Sequence, residues 1–178
     1  MLRMIVSCLA LLSLAAVSTA QPATEAAEED NSRAVYEAEL NAGIEKVWTT
    51  FTTQEGLSQW MAPLVEIELA VGGTIRTNYN AEGELGDETT IVNTILAYDP
   101  MRMIALQATG FPKGFPFVEV AKDTWSVFYF EPVSENRTKL TLVGLGYTEN
   151  EQSQQMRQYF SVANASLVEK LNAIFAAQ

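Results

Sequence analysis

From Met156 to Ile174 an apolar side chain recurs every three or four residues: Met156, Phe160, Ala163, Leu167, Leu171 and Ile174. That spacing follows the turn of an α-helix, so residues 149–177 are expected to form one long helix carrying a continuous apolar stripe. A stripe of this length has to be buried against something. The segments before it carry mostly the other period, two residues. "LVEIELAV", "TIRTNYN", "ETTIVNTILAY", "MRMIALQAT", "DTWSVFYFEP" and "TKLTLVGLGY" read as strands. Gly72-Gly73, Asp99-Pro100 and the polar run "VSENR" supply turns between them. Antiparallel strands closed by one long helix predict an α+β domain.

The start of the domain is helical in part. "AVYEAELNA" alternates weakly and reads as the first strand, with Asn41 as the expected N-cap of the next helix. There Ile44, Val47, Trp48 and Phe51 fall on one face. Thr53 can cap a second short helix running to Trp60, which Pro63 ends.

Upstream, "MLRMIVSCLALLSLAAVSTA" has one basic residue, an apolar run to Val17 and small residues at its end. This is the pattern of a secretory signal peptide over residues 1–20, cut between Ala20 and Gln21. Residues 21–33, "QPATEAAEEDNSR", lack apolar periodicity and read as a disordered acidic leader. The domain proper is expected over 34–178, roughly 145 residues, enough to bury close to 70% of its unfolded surface. The expected location is periplasmic or secreted.

The chain has no histidine, and its only cysteine, Cys8, lies in the signal segment. The mature chain therefore cannot build a Ser-His-Asp or Cys-His nucleophile or the usual His/Cys zinc site. No metal and no cofactor is expected. The formal charge of −11 becomes one unit more negative once Arg3 is removed. Such acidity argues against nucleic acid or an anionic membrane as partner, and no membrane anchor is expected in the mature form.

Val47-Trp48, Phe51-Thr52-Thr53, Leu57, Trp60 and Pro63 form one group of diagnostic residues. Gly72-Gly73, Asp99-Pro100, "FYFEP" from Phe128 to Pro132, and Thr138 to Leu142 form another. On these the chain resembles the SRPBCC or START-like helix-grip proteins. Within them it is most similar to the family named for the activator of the ninety-kilodalton heat-shock protein ATPase. The resemblance covers residues 34–178. It implies a curved antiparallel sheet of about seven strands wrapped around the long C-terminal helix, two short helices after strand one, and a cavity between sheet and helix. It further implies that Trp48 and Phe51 support the core, that Trp60 and Met61 lie nearer the cavity mouth, and that Phe128 and Phe130 face inward opposite Leu140 and Leu142. A signal peptide fits poorly with activating a cytosolic chaperone, so the family name does not carry over as an activity.

On this basis the expected partner is a small hydrophobic or amphipathic molecule. The residues expected to contact it are Trp60, Met61, Tyr79, Met103 and Phe115, together with Phe128, Phe130, Leu142, Phe160 and Asn164. Asn93 and Gln107 are further candidates for orienting it. "ATGFPKGFPFVEVAKD", residues 108–123, reads either as an aromatic flap over the cavity or as a loop packed on itself. Two other readings stand beside ligand binding. A cyclase- or hydratase-like enzyme would draw its acid or base from Tyr79, Asp87, Glu88, Glu119 or Lys122. An interaction protein would use the other face of the strand at 125–129, where Trp125, Val127 and Tyr129 fit a homodimer contact.

Overall fold

The computed structural model describes residues 30–176; the expected signal segment and residues 21–29 of the expected acidic leader lie outside the described residues. The elements run β1 (Arg33–Leu40), α1 (Ile44–Thr52), α2 (Gln54–Trp60), β2 (Leu64–Ile67), β3 (Thr74–Asn78), β4 (Ile91–Asp99) and β5 (Met103–Gly110). They continue with α3 (Val118–Ala121), β6 (Trp125–Ser134), β7 (Arg137–Leu145) and α4 (Glu151–Ala176). The seven strands form one antiparallel sheet in the order β1-β7-β6-β5-β4-β3-β2. This is the expected α+β architecture, with the two short helices after the first strand.

Pairing register sorts every strand residue to one of two faces, because successive side chains alternate. Leu40, Leu140, Phe130, Ile104, Ile95, Ile75 and Val65 point inward and are buried. The register shifts between Ile95 and Ala97 in β4 and again near Val92. Such bulges bend a strand and raise its twist, which is how a sheet curls around one helix.

The helical insert between β1 and β2 is built for close packing. Thr53 Oγ1 accepts the Gly56 N–H at 3.1 Å, capping α2 as its sequence predicts. The cap of α1 is Gly43 rather than Asn41, whose own N–H donates instead to Asn172 Oδ1. At Gly56 an added Cβ would lie 2.5 Å from Thr50 Cα, so only glycine lets α2 fold back against α1. Phe51 then meets Trp60 at 4.8 Å, Phe130 at 5.0 Å and Phe128 at 5.7 Å between ring centroids.

Helix α4 is attached at two places. At its C-terminal half Val168, Leu171 and Phe175 enter the main core, and Lys46 lies 5.7 Å over the Phe175 ring. Asn172 donates to the Glu39 carbonyl at 3.1 Å, and Lys170 Nζ donates to the Trp60 carbonyl at 2.8 Å. At its N-terminal end Met156 is buried with Ala121 and Tyr147, and Phe111, Phe115 and Phe117 pack against this second cluster. Ser153 Oγ accepts the Thr148 N–H at 3.0 Å, fixing the approach to the helix.

The end of β1 is further held by Thr138, whose buried hydroxyl donates to the Ala42 carbonyl at 2.8 Å. Replacing Thr138 with Val keeps the shape and leaves that buried carbonyl without its donor. A loss of about 1–3 kcal/mol in stability is expected, measured as a lower urea midpoint at unchanged m-value.

Candidate functional site

The stripe on α4 is not uniformly buried. Met156 and Leu171 are 0% exposed, whereas Phe160, on the same side between them, is 37% exposed. Ala163 is also open, and Asn164 is half-buried. The helix therefore rests on the sheet at both ends and stands free of it in the middle.

The inner face also carries small and neutral side chains. In register across the sheet lie Ala34, Gly144 and Ser126, of which Ala34 packs against the Met156 cluster and Gly144 lies under the Tyr147 ring, and Ala108 pairs with Asn93 two residues along. Ser126, Asn93 and Asn164 are each half-buried and have no side-chain hydrogen-bond partner among the described residues. No sealed side-chain nitrogen or oxygen among the described residues lacks a partner, so these three polar groups reach solvent. Ser126 and Asn93 do so from the inner face of the sheet.

One side of this gap is aromatic. Phe111 and Phe115 stack at 5.6 Å, Phe115 meets Phe117 edge-on at 5.7 Å, Phe117 reaches Tyr159 at 5.9 Å, and Tyr159 reaches Phe160 at 5.3 Å. Tyr79 directly follows the last residue of β3 and is 66% exposed. Its phenol is pushed up by desolvation and, to a lesser degree, by the charge of Tyr159. The segment 108–123 is thus self-packed and also carries its ring series to the helix. Residues Val118–Ala121 within it form α3, a short helix rather than loop.

The expected ligand residues fall into three groups. Tyr79, Phe160 and Asn164 border the gap, Phe115 stands in the adjoining ring series, and Phe128 and Leu142 share the inner face beneath. Trp60 and Phe130 are core residues: the Trp60 indole N–H donates to the Thr50 carbonyl at 3.1 Å, and Met61 packs beside it rather than standing free. Met103 is a correction. It pairs with Tyr129, whereas Phe128 pairs with Ile104, so Met103 faces the outer side of the sheet. Gln107 shares that outer alternation, and its amide donates to the Lys122 carbonyl at 2.9 Å. Ser126 was not singled out. The signal was present as a lone hydroxyl alternating with Phe128 and Phe130.

The carboxylates considered for acid–base work are engaged in ion pairs or in loop hydrogen bonds. Glu88 pairs with Lys113 and Glu119 with Lys122, each at 2.8 Å and exposed. Asp87 organises the loop after β3. It accepts from the Thr89 hydroxyl at 2.7 Å, from the Thr89 and Glu84 N–H groups, and from the Asn78 amide at 3.0 Å. Those donors, led by Thr89, lower its carboxyl to about 2 from an ordinary 3.8. On the outer face Val127 is 5% exposed between Ala105 and Val143, while Trp125 and Tyr129 beside it are 38% and 46% exposed.

Residues 41–176 match the family described as activator of Hsp90 ATPase homolog 1-like protein. The chain belongs to this family. No curated protein matches it in sequence. Among solved structures it is similar to the Aha1 dimer of Colwellia psychrerythraea, at 20% identity and TM-score 0.58, covering 79% of this chain and 96% of that one. A Mesorhizobium loti protein superposes with TM-score 0.64 at 16% identity, covering 82% and 98%. Norcoclaurine synthase of Thalictrum flavum, solved with dopamine and hydroxybenzaldehyde, gives TM-score 0.55 at 10% identity, covering 82% and 87%. At these identities the likeness establishes the helix-grip fold, which the family shares.

The low carboxyl of Asp87 has a consequence for acid stability. Because its folded value lies below the unfolded one, its contribution is present above about pH 4 and is lost as pH falls toward 2. Asp87→Asn is therefore expected to flatten the acid limb of the unfolding profile between pH 4 and 2, and carboxyl NMR titration should place the Asp87 midpoint near 2.

Proposed function

We propose that this domain binds a small, largely apolar molecule in the gap between the sheet and the middle of α4, and that it does so after export and cleavage following Ala20. The observation that carries the binding proposal is the helix stripe, sealed at Met156 and Leu171 and open at Phe160 between them. The unpartnered groups of Ser126, Asn93 and Asn164 support it, since a few polar groups in an apolar concavity are what orient a small ligand. The Thalictrum relative holds two aromatic ligands on the same fold. Binding is favoured over acid–base catalysis because every Asp, Glu, Lys and Arg of the strands lies on the outer face.

Native mass spectrometry of the protein purified from its own host tests both parts. The expected mass begins at Gln21 and carries a reproducible adduct that denaturation releases. Retention of residues 1–20 would overturn the export proposal. A second test fills the gap. Ser126→Phe is expected to abolish the adduct while changing the melting temperature little. If the space were packed, the same change would cost about 1–3 kcal/mol in strain.

A second reading, self-association through the outer face, is favoured by the exposed Trp125 and Tyr129 and by the dimeric state of the Colwellia relative. Val127 contributes the covered floor of that patch rather than a contact. Sedimentation equilibrium is expected to show a dimer, and Trp125→Glu to convert it to monomer. A wild-type monomer at tens of micromolar would exclude this reading.

A further inference from the structure

The charge distribution of the gap says more about its occupant. Resting on the binding site proposed above, we infer that the gap selects uncharged aromatic molecules bearing one or two hydrogen-bonding groups and excludes anions such as carboxylates, sulfonates and phosphate head groups.

The first support is the sorting of charge by register. Arg33, Glu37 and Glu39 of β1 alternate outward while Ala34, Tyr36 and Ala38 face in. The same holds for Glu66 and Arg76, which pair across β2 and β3, and for Arg137 and Lys139 of β7. The inner face thus presents no cation to an incoming anion. Cations near the rim are already engaged, Lys113 with Glu88 and Lys122 with Glu119. Lys170 and Arg157 of α4 are likewise held, one by the Trp60 carbonyl and the other by Gln154 and Asn31. An anion entering the gap would surrender its hydration with no strand cation on the inner face to replace it, inside a protein that is itself strongly acidic.

The second support is the kind of apolar surface left uncovered. Around the gap the open apolar groups are chiefly rings, Tyr79, Tyr159 and Phe160, with Phe117 in contact behind them. Rings offered face or edge to a pocket favour a planar partner through stacked or edge-on contact. The third support is the polar set. Asn93, Asn164 and Ser126 both donate and accept, which suits a hydroxyl or carbonyl on the ligand.

Two dyes sharing one skeleton test this. N-phenyl-1-naphthylamine is neutral, and 1-anilinonaphthalene-8-sulfonate is the same aryl-naphthylamine with a sulfonate. Fluorescence titration of the mature protein is expected to show the neutral dye binding at least tenfold more tightly, with 1-naphthol displacing it more effectively than 1-dodecanol. Phe160→Ala should weaken the neutral dye several-fold, and Ser126→Phe, shown folded by circular dichroism, should abolish its binding. Equal affinity for both dyes would overturn the exclusion of anions while leaving a binding site. Equal displacement by the aliphatic alcohol would overturn the aromatic preference. Failure of both dyes to bind, or binding indifferent to Ser126→Phe, would remove the gap as a ligand site altogether.

Discussion

Helix α4 is fastened at its ends and free in its middle, and the remaining features of the molecule follow from that arrangement. Leu171 lies fifteen residues beyond Met156, about 22 Å along the helix at 1.5 Å per residue. At one end the seam is a full core, with Leu171 and Phe175 inserted and Asn172 hydrogen-bonded to both strand and insert. At the other, Met156 rests on Tyr147 and the aromatic loop. A helix of this length is stiff enough to bridge the interval. The β4 bulges bend the sheet that it crosses.

The two seams differ in how they are made. The C-terminal seam rests on α1 and α2, neighbours in the chain that are held together by the close approach at Gly56 and the Phe51–Trp60 contact. The N-terminal seam depends on Phe111, Phe115 and Phe117, held in place by Lys113, whose N–H donates to the Glu88 carbonyl and whose amine pairs with the Glu88 side chain. The loop after β3, organised by Asp87, and the loop after β5 are thereby joined at the rim that carries Tyr79. The polar devices around the gap hold loops in position, while the gap itself is left neutral.

The fold was legible because it rests on periods. The α4 stripe, the inward alternation of Phe128 and Phe130, the glycine turn before β3 and the Thr53 cap all express local geometry that a sequence displays directly. Met103 was placed on the wrong face because β5 is apolar on both sides: Ile104 and Leu106 fill the core, while Ala105 is covered among Val127 and its neighbours. A central strand with two apolar faces offers no alternation to read. The family resemblance places Trp60 near the cavity mouth, and only the fold of α2 onto α1 shows its indole satisfied within the core. The openness at Phe160 could not be read at all. Periodicity identifies which side of a helix faces the sheet and carries no information about the distance between them.

That distance gives the small inner residues their meaning. Ser126, Gly144 and Ala108 could each be read as weak strand positions, poorly suited to a packed face. Gly144 is accounted for by Tyr147, whose ring would lie 3.0 Å from a Cβ placed there. The Ser126 hydroxyl has no partner among the described residues while still meeting solvent. Were the sheet and helix in contact at this level, burying that hydroxyl unpaired would cost about 1–3 kcal/mol with nothing gained. A hydroxyl retained beside phenylalanines on an inward face is most simply explained by something polar that reaches it, water in the empty domain and a ligand group in the filled one.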